Sequence, residues 1–318
     1  MAKLIRVLLL VVSFNFVDLR EYMREKDRIR FERQKNRSRT TDNLLGSLIL
    51  EIMRSDRQGI RRVFADKIDS KAFVVSELDA RVPETVGKVA SFSDLNSYRF
   101  DNPVVVKPSH ASGAVLIVGG SREIRPTLAE IEKVWKMLFQ VQQFPSNGTV
   151  AHALLEFVSN RWLRYRYTDH GRDEWAYSRL KKRLIIEEFV GDPLEIEPPD
   201  DLKIYFWRSE PFLIHVDSNR FGPRIRNYYA PNENLVHVSK KYEGEAPLPD
   251  SQHVQEAIRL GRELSKRVDF VRVDFFISGG KLFVGELTNY PEGGFGDLPP
   301  NEVLVPLLPA EIRERGEQ

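Results

Sequence analysis

Cysteine is absent from this 318-residue chain, which removes disulfide frameworks, thiolate metal sites and cysteine nucleophiles. Any metal must be held by oxygen or imidazole, and six scattered histidines argue against a histidine cage. Long hydrophobic runs are missing too. The apolar stretch from Leu8 to Val12 follows Lys3 and Arg6 in the manner of a signal peptide. It is far shorter than the ~20 residues a span needs, and no small-residue cleavage pattern follows it. A buried first helix or strand suits it better than docking on a membrane surface. The expectation is a cytoplasmic chain without a transmembrane segment, peripheral membrane contact through the N-terminus being the lesser reading. Charge of one sign is scarce as well: 48 basic residues against 46 acidic leave +2, which excludes a nucleic-acid coat and a disordered polyacid. There is no phosphate-binding Walker loop, no G-x-G-x-x-G, no G-x-S-x-G and no H-E-x-x-H, so no hydrolase triad is supported.

What the chain does have is a soluble composition, 42% hydrophobic and 30% charged, long enough for one two-lobed body or two domains. Arg20 to Arg39 carries nine basic and four acidic residues, the pattern of an exposed helix laced with short-range ion pairs rather than a nucleic-acid patch. Thr41 or Asp42 can cap a second helix whose Leu44, Leu45, Leu48, Ile49 and Ile52 recur at helical spacing. Residues 1–60 therefore form a helical extension ahead of a main domain over 61–318. Beyond Arg61, short apolar runs alternate with Pro, Gly, Asn and Asp. Strands are expected at Val104–Lys107, Ala114–Val118 and Leu184–Val190, hairpins at Lys203–Val216 and Asp269–Leu287, and helices at Pro126–Gln143 and Val254–Arg267. Strands and helices mix without regular alternation, so the class is α+β.

Three groups of residues carry chemistry. Asp274 and Glu286 flank the turn Ser278-Gly279-Gly280, and a three- or four-residue loop puts them opposite each other or one position apart. Two acids among Phe, Val and Leu repel unless a cation neutralises them, and oxygen ligands without sulfur point to magnesium. The plainer alternative is that one of them pairs with Arg272. Lys107 ends a run of three valines before the small-residue loop Ser109 to Gly113, where a buried ammonium wants an anion unless it snorkels to water. His110 suits a loop hydrogen bond better than metal ligation. Arg220, Arg224 and Arg226 gather in a turn-rich segment that fits carboxylate or phosphate recognition, or a solvated loop.

In order, Asp66-Lys67, Pro103-Val-Val-Val-Lys107-Pro108, Glu187-Glu188-Phe189, Asp201-Leu202-Lys203, Arg272-Val273-Asp274 and Gly285-Glu286-Leu287-Thr288 resemble an ATP-grasp ligase of the D-alanine–D-alanine ligase superfamily. Val216 to Phe221 and Arg226 to Tyr229 resemble more closely the TupA-like ATP-grasp proteins associated with teichuronopeptide and other cell-surface polymers. The resemblance runs from Asp66 to about Phe295. It implies an ATP-grasp fold in which a lobe over 61–186 and a lobe over 187–318 hold ATP between them. Lys67 and Lys107 would contact the phosphates, with Ser109, His110, Ser112 and Gly113 closing over them. Glu187, Glu188 and Phe189 would form the adenine hinge, with Asp201 and Lys203 near ribose or phosphate. Two Mg2+ ions would sit on Asp274, Glu286 and either Thr288 or Asn289, since the superfamily pattern E-x-N is shifted by one residue here. A further departure is Ser109 where the subgroup carries Asn, with Ala114 in place of a Gly. Arg272 and Lys107 would act on the reacting groups, and the arginines at 220, 224 and 226 would grip an anionic carboxylate acceptor.

The implied reaction is ATP-dependent amide formation between a carboxylate and an amine through an acylphosphate, which needs no covalent enzyme nucleophile. Alternatives are an ATP-grasp kinase acting on a sugar or small molecule, and a non-catalytic nucleotide-binding partner in polymer assembly.

Overall fold

The computed structural model describes residues 41–98, 102–118, 124–126, 159–164, 174–191, 198–219 and 223–315. The apolar run at Leu8, the charged stretch Arg20–Arg39, most of the helix expected over Pro126–Gln143, and Arg220 lie outside them. Among the described residues no helix is long and apolar enough to cross a membrane.

Two antiparallel sheets organise the chain. The smaller contains β1 (Thr85–Val89), β2 (Val104–Pro108), β3 (Leu116–Val118), β4 (Ile124–Pro126) and β5 (Leu184–Glu188), in the order β1-β5-β2-β3-β4. The larger holds β6 (Asp201–Trp207), β7 (Glu210–Ser218), β8 (Ile225–Tyr229), β9 (Leu235–Val238), β10 (Phe270–Ser278) and β11 (Lys281–Thr288), in the order β11-β10-β6-β7-β8-β9. With helices segregated onto their faces, the class is α+β as expected. Pro126 ends a strand where a helix was expected to begin.

Period-2 alternation decides what each face of the large sheet does. Leu202, Ile204 and Phe206 of β6, with Val271, Val273 and Phe275 of β10, bury one face against the helix Ser251–Ser265. Asp250 caps that helix by accepting from His253 N, and Val254, Ala257, Ile258, Gly261 and Leu264 form its buried stripe. At Gly261 a Cβ would stand 2.1 Å from the Phe206 ring, so only glycine lets the helix lie this close.

The opposite face is split. Its apolar end, with Tyr205, Trp207, Leu213 and Phe270, packs against α1 (Leu44–Ser55) and the C-terminal residues Val303, Leu304, Leu308 and Ile312. Its charged end carries Lys203, His215, Asp217, Arg272 and Asp274, all buried. The cap of α1 is Asn43, whose Oδ1 accepts from Gly46 N, rather than Thr41 or Asp42; Thr41 Oγ1 instead accepts from Asn43 N. Two short helices follow: α2 (Ile60–Ala65) and α3 (Lys67–Glu77).

Candidate active site

The β10–β11 hairpin turns on two residues, Gly279 and Gly280, both in the left-handed region at φ 55° and 68°. This is shorter than the expected loop. Pairing from Ser278↔Lys281 to Phe275↔Val284 would bring Asp274 opposite Gly285 and send Glu286 to the other face. A bulge between Asp274 and Phe275 absorbs Gly285, and the register resumes as Asp274↔Glu286 and Arg272↔Thr288. On the other side of β10, Lys203 stands opposite Asp274 and Tyr205 opposite Arg272. One face of three strands thus concentrates two carboxylates, a guanidinium, an ammonium and two hydroxyls.

Arg272 clasps Asp274 with Nε to Oδ1 at 2.6 Å and Nη2 to Oδ2 at 2.7 Å, and Nη2 also donates to Thr288 Oγ1 at 3.3 Å. Burial disfavours the guanidinium charge, but Asp274 outweighs it and holds Arg272 well above the usual arginine range. Burial raises the Asp274 carboxyl despite Arg272 and Lys203, and the Glu286 charge pushes the same way.

Facing this ribbon is the start of α3. Asp66 caps the helix by accepting from Ile68 N at 2.9 Å, and also pairs with Arg183 Nη2 at 3.1 Å. Lys67, the first helical residue, sends Nζ to Ala111 O at 2.6 Å and to within 3.7 Å of Glu286 Oε1. That contact joins the carboxylate ribbon to the small-sheet side. Nearby, Lys107 Nζ meets Glu187 Oε2 at 2.6 Å, while Lys71 Nζ meets Oε1 at 2.6 Å and donates to Pro83 O. Burial alone would raise Glu187; the two ammoniums hold it below the usual carboxylate range. Burial drives Lys71 down to about 8 against the pull of Glu187, and Lys107 adds repulsion. Lys71 escaped sequence reasoning. The signal was there: it follows Lys67 by four residues, on the same face of a capped helix.

Ser109 is fully buried and fixed on both sides of its peptide unit, its N–H donating to Arg183 O and its carbonyl accepting from Lys67 N. His110 is buried with Nε2 3.1 Å from Trp162 O, the expected loop hydrogen bond. Only Ser112 and Gly113, at φ 74°, leave that loop accessible. Glu187 is the counterion of two lysines. Glu188 is exposed, and Phe189 spends its N–H on Pro103 O and its ring on Ile117 and Val105, so neither of these Phe189 groups is available to a base. Lys203 lies between Asp201 at 2.8 Å and Asp217 at 3.2 Å.

Arg226 is not an open anion grip. It is buried against Asp217 through Nε at 2.5 Å and Nη2 at 2.9 Å; against burial, Lys203, His215 and Arg226 hold Asp217 below the usual carboxylate range, and Asp217 holds Arg226 above the usual arginine range. Arg224 is exposed over the Tyr242 ring at 5.7 Å and keeps its guanidinium on the surface. Asn289 is fully buried and hydrogen-bonded to Arg61, so it stands apart from the carboxylates.

The donor set suits a divalent cation. Two facing carboxylates, with water and phosphate oxygens to complete the shell, match the demands of Mg2+. Among the described residues no three carboxylate or imidazole groups converge. Lys67, whose ammonium reaches Glu286 of the ribbon, suits a phosphate oxygen, while Lys71 and Lys107 share Glu187.

In fold the chain is similar to the D-alanine–D-alanine ligase of Bacillus anthracis, at 16% identity and TM-score 0.41 over 80% of this chain and 69% of that one. It is also similar to D-alanyl-alanine synthetase A of Vibrio cholerae, at 12% and 0.40 over 80% and 63%, and to the ATP-grasp ligase PsnB, at 9% and 0.37 over 77% and 61%. Among proteins of curated function none matches it significantly. The family model described as TupA-like ATP-grasp runs through residues 47–307, from α1 past the carboxylate ribbon, and the chain belongs to that family.

Proposed function

We propose that the protein is an ATP-dependent carboxylate–amine ligase that works through an acylphosphate and serves the assembly of a cell-surface polysaccharide or peptide polymer in the cytoplasm, where its ATP is. The observation that carries this reading is the pairing of Asp274 with Glu286 across the ribbon, with Lys67 3.7 Å from Glu286. The family supports the use of ATP.

Asp274 and Glu286 would hold the divalent cation, which when bound draws charge from the phosphate oxygens. Lys67, Lys71 and Lys107 bind and orient the triphosphate, and Glu187 keeps two of those ammoniums in place. Arg272, beside the carboxylates, stabilises negative charge on the carboxyl group that attacks the γ-phosphate. The amine then displaces phosphate from the acylphosphate. Catalysis is positioning and electrostatics, without a covalent enzyme intermediate. Arg224 is the arginine left at the surface to meet an anionic acceptor.

The test is ADP release across amino acids paired with uronic acids and nucleotide sugars. The ligase reading expects release to require both a carboxylate and an amine. Phosphorylated product without amide would mean a kinase. Asp274→Asn should cut turnover at least about a hundredfold, some 3 kcal/mol in the barrier, with the far-UV circular dichroism unchanged. An unaffected rate would remove Asp274 from the chemistry.

A further inference from the structure

At the turn that joins β10 to β11, a Cβ on Gly279 or Gly280 would meet nothing within 4 Å, so neither glycine is packed against the body of the protein. The Gly280 carbonyl lies instead 3.2 Å from Nε2 of His253, in the first turn of the helix Ser251–Ser265. The other ring nitrogen, Nδ1, lies 2.5 Å from Oδ2 of Asp250. Oδ1 of the same carboxylate caps the helix by accepting from His253 N at 3.1 Å.

Both ring nitrogens thus face oxygens that can only accept. A neutral imidazole has a single N–H; with that proton given to the carboxylate, its other nitrogen turns a lone pair on the Gly280 carbonyl. Only the imidazolium donates to both. The surrounding groups favour that charged form: the hydrogen bond to Asp250, then that to Gly280 O, with the Asp250 and Glu256 charges behind them, raise His253 above the usual histidine value. Hydrogen bonds from His253, its backbone N–H first, lower Asp250 in return. Glu233 engages the other flank of the helix, accepting from Ser251 Oγ at 2.8 Å and Gln255 Nε2 at 2.7 Å. On the hairpin the neighbouring charge is Lys281, which follows Gly280 and is exposed.

We propose that His253 is a proton-dependent clasp that pins the β10–β11 turn to the start of the helix Ser251–Ser265. Charged, the ring bridges Asp250 and Gly280 O. When it loses a proton, the remaining N–H stays with Asp250, the Gly280 contact becomes repulsive and the turn is released. The folded value lies above the ordinary 6.5, so the bridge is complete below 6.5 and is lost as pH rises through the raised value. At the acid end it is lost only where Asp250 takes a proton, below the ordinary 3.8. The clasp stands at the opposite end of the ribbon from Asp274 and Glu286, and it holds whatever those acids bind.

The test is nitrogen-15 NMR of the full chain, labelled on histidine and glycine, titrated from about pH 5 to about pH 9. Both ring nitrogens of His253 should be protonated at the acid end, and the ring should titrate above 6.5. The Gly279 and Gly280 amide signals should move with the same midpoint. Asp250→Asn keeps a helix cap and should bring the His253 midpoint down, carrying the glycine transition with it. His253→Gln should abolish that transition. The clasp is overturned by a His253 midpoint at or below 6.5, by a midpoint unmoved in Asp250→Asn, by glycine signals indifferent to the titration, or by a glycine transition that survives His253→Gln.

Discussion

Replacing Lys71 with methionine isolates the cost of burying an ammonium that shares Glu187 with Lys107. In the folded chain burial lowers Lys71 from 10.5 to about 8, with Glu187 opposing and Lys107 assisting. Between those values the unfolded chain holds a proton that the folded one has released, so stability rises with pH through the window. Below about pH 8 the folded state bears the whole penalty, and above 10.5 it bears none. The gap corresponds to roughly 3 kcal/mol. Urea unfolding of the natural chain and of Lys71→Met at intervals from pH 7.5 to 10.5 reads it directly, because the other titrating groups largely cancel in the difference. The natural chain should gain about 2–3 kcal/mol on the variant across that range. A difference that stays flat with pH would refute the buried-ammonium account. A corollary concerns the ligand: a polyphosphate arriving beside Lys71 favours its charged form, so binding of a nonhydrolysable ATP analogue near pH 8.5 should take up protons. Calorimetry in buffers of different ionisation enthalpy measures that uptake.

Burial holds His215 at about 3 despite Asp217, so the unfolded chain gains a proton between pH 6.5 and 3 that the folded chain refuses. His215→Gln should therefore lessen the loss of stability from pH 7 to pH 4 by about 3 kcal/mol in denaturant titrations; equal losses would contradict a buried neutral imidazole. Gly261→Ala forces a methyl to within 2.1 Å of the Phe206 ring and should cost about 1–3 kcal/mol, seen as a lower melting temperature. An unchanged melting temperature would mean that the helix and sheet can separate freely.

Much of the large sheet was legible because its signals are local. The turn residues between β6 and β7 and between β10 and β11 marked both hairpins, and the helix they pack against was expected at Val254–Arg267, close to its observed Ser251–Ser265. The order of the family motifs was legible for the same reason, each lying in a few consecutive residues. What stayed hidden depends on contacts between distant segments. Arg224 and Arg226 are alike in sequence, yet one is exposed and the other locked by Asp217, nine residues earlier across a strand pair. Lys71 gained meaning only when β5 brought Glu187 beside Lys107. The α1 cap went to Asn43 because Pro299 O takes its Nδ2 at 2.7 Å, an anchor 256 residues away.

The extra residue at Gly285 sets a rule of arithmetic for variants of this ribbon. Adding or removing one residue between Phe275 and Val284 would swap inside for outside along the rest of β11 and rotate Glu286 away from Asp274, whereas a change of two preserves the facing. Substitutions at the tip should be borne easily and length changes only in even steps, so among natural variants odd differences there should coincide with loss of the acid pair.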